Sequence, residues 1–528
     1  MRVGIDVGGT NTDAVLMSGR QVLAATKAPT SRDVVAGVVA AVRAILNESG
    51  IAGDRITGVM IGTTHFTNAL VQGLSLERVG VLRIAEPAGC CLPPFVGWPN
   101  ALRGIIRGGV AGLRGGYNVD GRPIAAFDDD AAHAAIAGFA ADGIRSVAIS
   151  CIFSPLRDDM ERRCAALVEQ IIPGASVSLS SEIGRIGFLE RENATILNAA
   201  LRALSVSVTQ AFREALRELG IAAPFYVSQN DGTPLDIGQV ERFPVFTVAS
   251  GPTNSMRGAS FLTGREDAIV VDIGGTTSDV GAIKAGFPRE SAVSVDIGGV
   301  KTNFRMPDVL AIGVGGGSRV RRASDTPAGC SIGGTVSIGP DSVGYELSTR
   351  ALVFGGEDMT LTDLAVADGR LDVGDAGRVA HLDRDFIAAG LEEFRLRIED
   401  AVERVKTAPD PVPVILVGGG GVIFRGGIKG ASEILMPANA AVANAIGAAI
   451  AQIGGEYEKV CSYDDEGREA AIAAVRSEAC KRARDAGAEG DLDVLEIEEV
   501  PLSYLPGRTV RVRVKVVSRR DDRVAEAV

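Results

Sequence analysis

An eight-residue pattern that occurs twice constrains this chain more than any other feature. Asp6-Val-Gly-Gly-Thr-Asn-Thr-Asp13 and Asp272-Ile-Gly-Gly-Thr-Thr-Ser-Asp279 agree at five of eight positions. Each lies between two apolar runs and predicts a β-hairpin with the glycines in its turn. One Gly-Gly hairpin is weak evidence, because such turns are common. Two of them, each opening a similar block of strands, predict a duplicated domain with two facing turns.

Those turns suit phosphate chemistry. Glycines remove side chains, so backbone N–H groups can face phosphate oxygens. Gly8, Gly9, Thr10, Asn11 and Thr12 in the first copy, and Gly274, Gly275, Thr276 and Thr277 in the second, are the candidate phosphate cradle. The hydroxyls of Thr10 and Thr276 can add donors. Asp6 and Asp272 repel a bare phosphate, so carboxylates at these positions point to Mg²⁺, held directly or through its waters. Asp13 and Asp279 close the two turns and are candidates to polarise a water or orient the metal.

The rest of the chain alternates strands and helices, which predicts an α/β class with layered sheets. Thr30-Ser-Arg-Asp33 resembles a capping box and predicts a helix ending at Gly50. Strands are expected at Gly58–Ile61, Arg78–Ile84, Ser146–Phe153 and Val412–Val417. Helices are expected at 128–142, 157–171, 192–219, 383–406 and, from small residues, 438–453. Residues 288–318 predict strands and a Gly-rich loop. A tail from 456 holds a charged helix at 464–486 and two strands, at 492–500 and 509–517. The expected units are an N-terminal lobe 1–255, a second lobe 256–455, and a small α+β appendage 456–528. Val414-Ile-Leu-Val-Gly418-Gly419-Gly420-Gly421 is a strand running into glycines, suited to close approach by a base or ribose. No Gly-x4-Gly-Lys-[Ser/Thr] occurs, which sets aside a P-loop enzyme.

Charge and composition narrow the class. A formal net charge of −12 disfavours nucleic acid or an anionic membrane as partner. Seven cysteines without a Cys-x-x-Cys pair disfavour a disulfide framework or an iron–sulfur centre, and fit reduced thiols in the cytoplasm. Three histidines are too few for a His-rich zinc site. The longest small-apolar stretch, Ala438–Ile450, carries Asn439 and Asn444 and is too short and polar to span a bilayer.

Together the two phosphate turns, the Gly418–Gly421 run and the small-residue helix resemble the actin/hexokinase/Hsp70-like ATPases. That resemblance implies a two-lobed, ribonuclease H-like fold. Gly4-Ile-Asp-Val-Gly-Gly-Thr-Asn-Thr-Asp13, Gly62-Thr-Thr-His-Phe-Thr-Asn-Ala69, Ser181-Glu-Ile-Gly184, Ser250-Gly-Pro252, Asp272-Ile-Gly-Gly-Thr-Thr-Ser-Asp-Val280, Ile312-Gly-Val-Gly315-Gly316-Gly317-Ser318, Gly339-Pro-Asp-Ser342 and Thr360-Leu-Thr-Asp363 follow one another in order. The series resembles the hydantoinase A/5-oxoprolinase family. The resemblance implies ATP- and Mg²⁺-dependent opening of a cyclic amide such as a hydantoin or 5-oxoproline. It implies Gly315, Gly316 and Gly317 at the nucleotide, Asp308 towards the substrate, and a possible second, hydantoinase B-like subunit. A homo-oligomer is also expected. Related members serve ketone carboxylases, a second reading; a nucleotide-dependent regulatory module is a third.

The chain departs from the family pattern in four places, one of them the lack of a Pro-Gly-Pro segment after Gly339-Pro-Asp-Ser342. Ile61 stands where the family has His before Gly-Thr-Thr, and Leu310 stands where it has His before the triple-Gly loop. Thr253-Asn-Ser255 replaces small glycines after Ser250-Gly-Pro252. His65 is the candidate to replace the lost histidine. These differences place the change in the substrate cleft.

Overall fold

The computed structural model describes residues 1–8, 11–29, 34–291, 295–304, 306–322, 336–503, 505 and 507–519. The turn residues Gly9 and Thr10, the capping sequence 30–33 and Cys330 lie outside the described residues.

Both repeats form the expected hairpins. Strand Arg2–Val7 pairs antiparallel with Asn11–Ser18, and Ala268–Ile273 pairs antiparallel with Ser278–Lys284. The duplication extends well beyond the turns. In each half a helix packs on the sheet, and a later strand lies parallel to the first strand of the hairpin. These are helix Val34–Ser49 with strand Gly58–Thr63, and helix Arg384–Val405 with strand Val412–Val417. Parallel strands are covered on both faces, which is why they appear as near-continuous apolar runs. The first sheet has six strands in the order 234–236, 225–228, 58–63, 2–7, 11–18, 21–29. The second runs 287–288, 278–284, 268–273, 412–417, 431–435, with strand Val309–Ile312 also paired to Ser278–Lys284. Each sheet has its own apolar core. This is the duplicated α/β, two-lobed architecture of the actin/hexokinase-like fold.

Residues 79–179 build a sheet of their own. Strands Val79–Glu86, Arg107–Arg114, Ser146–Cys151 and Ser176–Leu179 lie parallel over a separate core. Two of these strands, Val79–Glu86 and Ser146–Cys151, fall on expected apolar runs; Arg107–Arg114 and Ser176–Leu179 carry no such run and are not among the strands expected. Helix Phe188–Glu218 then returns the chain to the first lobe. The expected lobe boundary at 255/256 falls inside an unbroken helix, Ser250–Thr263.

That helix crosses a second short helix, Ala443–Ala449, at backbone contact. A Cβ on Gly258 would lie 1.9 Å from the Ala443 carbonyl oxygen, and one on Gly447 would lie 1.8 Å from that of Asn254. Gly4 meets the same short helix, 2.1 Å from the Ala445 oxygen on the same measure. Three glycines therefore let the crossing pair seat against the first sheet. The short helix is briefer than the expected 438–453, because Asn439 turns left-handed (φ 62°) before a 3₁₀ turn at Ala440–Val442.

The tail adds a third strand to the two expected. Gly454–Ser462, Thr509–Ser518 and Leu492–Pro501 form an antiparallel sheet under helix Arg468–Asp485. Its charged alternation, Glu456-Tyr-Glu-Lys-Val, hides Gly454–Ser462 from an apolar-run search. The central strand pins both lobes. Lys515 Nζ lies 2.5 Å from Asp231, beside the first sheet, and Arg513 lies 2.8 Å from Glu290 in the second lobe. Burial works against an ionised Asp231, but Lys515 and Thr233 outweigh it and hold its carboxyl below the usual range. Lys515→Ala leaves that carboxylate without its cation. It is expected to cost about 3 kcal/mol at pH 7 in denaturant melts.

Candidate active site

Cross-strand register places the acidic residues in pairs. Asp6 lies opposite Asp13 in the first hairpin, and Asp272 opposite Asp279 in the second. Facing residues on neighbouring strands share one side of the sheet. The next strand adds Lys27 opposite Asp13, and the strand on the other side adds Gly62 opposite Asp6. The row across the first sheet is therefore Gly62, Asp6, Asp13, Lys27. The row across the second is Val417, Asp272, Asp279, Ala311.

Both turns close with the same bond. The Gly8 N–H donates to the Asn11 carbonyl and the Gly274 N–H to the Thr277 carbonyl, each at 2.9 Å. Among the described residues, the N–H groups of Gly275 and Thr276 donate to no protein acceptor. A glycine also sits against the first aspartate of each pair. A Cβ on Gly62 would meet Asp6 Oδ1 at 2.3 Å, and one on Gly418 would meet Asp272 Oδ1 at 2.2 Å.

The crossing helices supply the groups that hold the carboxylates. Asn444 Nδ2 donates to Asp6 Oδ2 and to Asp13 Oδ2, at 3.0 Å each. Asn254 Nδ2 reaches Asp6 Oδ1 at 3.5 Å, and the Ser255 hydroxyl donates to Asp272. Lys27 Nζ stands 2.8 Å from one Asp13 oxygen and 2.7 Å from the other. Asp279 has no side-chain partner among the described residues.

Electrostatics follow from that arrangement. Burial, then the neighbouring Asp13, pushes Asp6 up to about 7, against the bonds from Asn254 and Asn444. Burial, then Asp272, pushes Asp279 up to about 7. Asp272 is raised chiefly by burial, and Ser255 opposes that. Asp13 is raised by burial and restrained by Lys27. Carboxylates packed together at raised pKa are a strained arrangement, of the kind found where charge is handled.

Among the described residues no three His, Cys, Asp or Glu side chains converge to cage a metal. The Asn254 Oδ1 beside Asp6 is buried without a hydrogen-bond partner. Mg²⁺ keeps several of its waters and takes one or two carboxylates plus phosphate. Asp6 and Asp272, with that unpaired amide oxygen, fit a hydrated ion of this kind.

Other expected site residues fall elsewhere. Thr12 is fully buried and points away from the cleft. The triple-glycine loop is no open cradle. The N–H groups of Gly316 and Gly317 donate to the Gly274 and Gly275 carbonyls at 3.0 and 2.6 Å, and that of Gly315 to Ser318 Oγ. The loop supports the second turn from behind, and a Cβ at Gly315 would strike that turn at 2.7 Å. Asp363 caps its helix, bonded to Thr360 in a capping box. Asp308 pairs with Arg289 at 2.7 Å and is half exposed, three residues beyond the Ala311 that faces Asp279. Strand alternation separates it from the carboxylate group.

The two positions where the family has histidine face the cores. Ile61 is opposite Ile5 and fully buried in the first core. Leu310 is opposite Val280 and packs against the second core. Each is one residue out of step with an aspartate row, so its side chain leaves by the other face. The expected change of substrate cleft through these two positions is not what the fold contains. Thr253-Asn-Ser255 is different, because Asn254 and Ser255 touch Asp6 and Asp272 directly. His65 opens helix His65–Gln72 next to the first turn, where the Thr64 hydroxyl donates to the Val7 carbonyl at 3.1 Å. Burial lowers its pKa.

Sequence reasoning missed Lys27 and Asn444, and it marked Asn254 and Ser255 only as cleft departures, not as partners of Asp6 and Asp272. Lys27 had a signal: strand alternation after a hairpin puts a third row member at a countable distance. The other three depend on how two distant helices cross.

Known proteins place this arrangement in context. The pattern of the hydantoinase/oxoprolinase N-terminal region matches residues 2–172, and that of hydantoinase/oxoprolinase matches 191–405. The chain is 28% identical over 396 residues to the caprolactamase subunit alpha of Pseudomonas jessenii, covering 70% of this chain and 54% of that protein. It is 25% identical over 403 residues to the acetophenone carboxylase gamma subunit of Aromatoleum aromaticum, covering 70% of this chain and 53% of that protein. The matched region thus spans about half the length of these relatives. The solved ATP-dependent caprolactamase from Pseudomonas jessenii shares the fold with a TM-score of 0.76 at 20% identity, over 98% of this chain and 87% of that one. Nucleotide-free acetone carboxylase gives 0.71 at 19% identity, over 98% and 88%. With both family patterns matched in order over most of its length, the chain belongs to the hydantoinase/oxoprolinase family.

Proposed function

We propose that this chain is an ATP-dependent hydrolase of cyclic amides, or the ATP-binding subunit of one, with a lactam as the substrate class. The observation that carries this reading is the pair of matching hairpins, each with two aspartates in register across a glycine turn, the second turn having two backbone N–H groups without a protein acceptor among the described residues. The likeness to caprolactamase supports a lactam over a hydantoin. Its subunit name, and those of the carboxylases, support a second, separate subunit.

An amide is a poor electrophile. Transfer of the γ-phosphoryl group to its oxygen activates the carbon. Water then adds there, the ring C–N bond breaks as the nitrogen takes a proton, and a second water hydrolyses the acyl phosphate left behind to a carboxylate and free phosphate. The protein's task is then positioning and charge neutralisation. Gly275 and Thr276 offer backbone donors to the phosphates. Asp6 and Asp272, kept in place by Asn444, Asn254 and Ser255, hold Mg²⁺, which when bound offsets phosphate charge. Asp279, with no side-chain partner among the described residues, takes a proton from the attacking water. Its pKa near 7 suits a base at neutral pH.

Rate is therefore expected to rise with pH. Below about 7 Asp279 holds its proton and cannot act as base, and above that it is ionised. The kcat/KM for ATP turnover, followed from pH 5.5 to 9, should climb with an apparent pKa near 7. A flat profile would remove Asp279 from this role.

A carboxylase-type reading is supported by the acetophenone carboxylase relative. ADP release assayed with lactams, hydantoins, ketones and bicarbonate separates the two. Stimulation by a lactam alone supports hydrolysis, and stimulation that needs both ketone and bicarbonate supports carboxylation. ATP binding with no stimulation points to a missing subunit or to a regulatory module.

A further inference from the structure

We propose that Lys27 is the cation that engages the terminal phosphates of the nucleotide in this cleft, leaving Asp13 when they arrive. This rests on the ATP reading above and adds to it a specific residue, the last in the row across the first sheet. The two rows are built alike except at their last member. Lys27 follows Asp13 in one, and Ala311 follows Asp279 in the other. Among the described residues of the two rows, a positive charge closes only the first.

Three observations support a role beyond neutralising Asp13. First, Lys27 reaches the other lobe. A Cβ on Gly419, in the glycine run after strand Val412–Val417, would lie 3.7 Å from Lys27 Cε and 3.9 Å from its Nζ. The ammonium therefore stands between the first hairpin and the loop suited to the nucleoside. Second, its charge bears on Asp13 in its own lobe and on Asp272 across the cleft. Third, the Lys27 side chain is 31% exposed while Asp13 is 3% exposed, so a ligand reaches the cation without displacing the carboxylate.

The exchange is also chemically sound. Asp13 keeps its bond from Asn444 when the lysine leaves, so it is not stranded. A triphosphate entering a cleft with four carboxylates needs more positive charge than one metal ion supplies. A lysine offers a compact charge on a flexible stem, able to change partners.

The test is calorimetric titration of Mg-ATP, and separately of adenosine, into wild type, Lys27→Ala, Lys27→Met and Lys27→Arg. The methionine variant keeps an unbranched stem against Gly419 if the alanine variant does not fold. Loss of a charge-assisted phosphate contact should weaken ATP about tenfold to a hundredfold in the neutral variants. Adenosine binding should be unchanged, and arginine should restore most of the affinity for ATP. Equal loss of ATP and adenosine would overturn the assignment and make Lys27 a support for the Gly419 loop. Unchanged ATP affinity in both neutral variants would overturn it as well. A wild-type chain that binds adenosine and ATP equally would refute the phosphate contact alone, whereas one that binds neither would refute the ATP reading itself.

Discussion

Replacing Asp279 with asparagine is expected to give a more stable protein with no ATP turnover. Asp279 is withdrawn from bulk water, faces Asp272 across the second hairpin and has no counter-charge among the described residues, so folding raises its pKa to about 7. The sign follows from proton binding. Between the unfolded value of 3.8 and about 7 the folded chain keeps a proton that the unfolded chain has released. Stability is therefore lost progressively as pH rises through that window, and the full cost is felt above it. Asparagine has nearly the same shape and no charge to bury. Water in the cleft screens the partly exposed carboxylate. The expected gain in the nucleotide-free protein is thus about 2 kcal/mol above pH 7 and close to nothing below pH 4. Thermal melts at pH 4 and pH 8, beside a turnover assay, check both halves. A variant that is inactive and also less stable at pH 8 would mean that Asp279 is structural. Such an exchange of stability for function is common where active sites hold strained charge.

Gly258→Ala is expected to have the largest effect on folding. The added methyl would stand 1.9 Å from a backbone oxygen of the partner helix, and no rotamer can relieve that. Helix Ser250–Thr263 would have to move, taking with it Asn254 and Ser255, which hold Asp6 and Asp272. A loss of at least about 3 kcal/mol in denaturant melts is expected, with loss of ATP binding in whatever remains folded. Gly251 is the control. It lies on the same helix with open space where its Cβ would be, so Gly251→Ala should stay within about 1 kcal/mol of wild type. A Gly258→Ala protein that melts with wild type would show that the helices have room to spare.

Legibility in the sequence followed the range of the interaction. The hairpin turns are local: five matching positions in eight, between apolar runs, were enough to predict two facing turns and the lobes around them. The carboxylate pairs were nearly legible too, since residues flanking a tight turn on both strands come into register. Helix limits at 128–142 and 383–406 agreed with Asp129–Ala141 and Arg384–Val405, because capping and periodicity are local signals. The triple-glycine loop misled for a physical reason. Glycine permits close backbone approach to a ligand or to another loop, and the sequence does not say which. Here Gly315–Gly317 approach the second turn.

Sequence alone determined the duplication, the two glycine turns, the two aspartate pairs and the family. Each rests on residues a few positions apart, joined by backbone geometry that has few alternatives. Tertiary structure decided what those aspartates experience. Asn254 and Ser255 come from one helix and Asn444 from another 190 residues later, and both helices arrive only because Gly4, Gly258 and Gly447 let backbones touch. Which aspartate receives a cation was decided there as well. Lys27 closes one row and Ala311 the other, so the two repeats of one sequence pattern hold carboxylates in unequal fields.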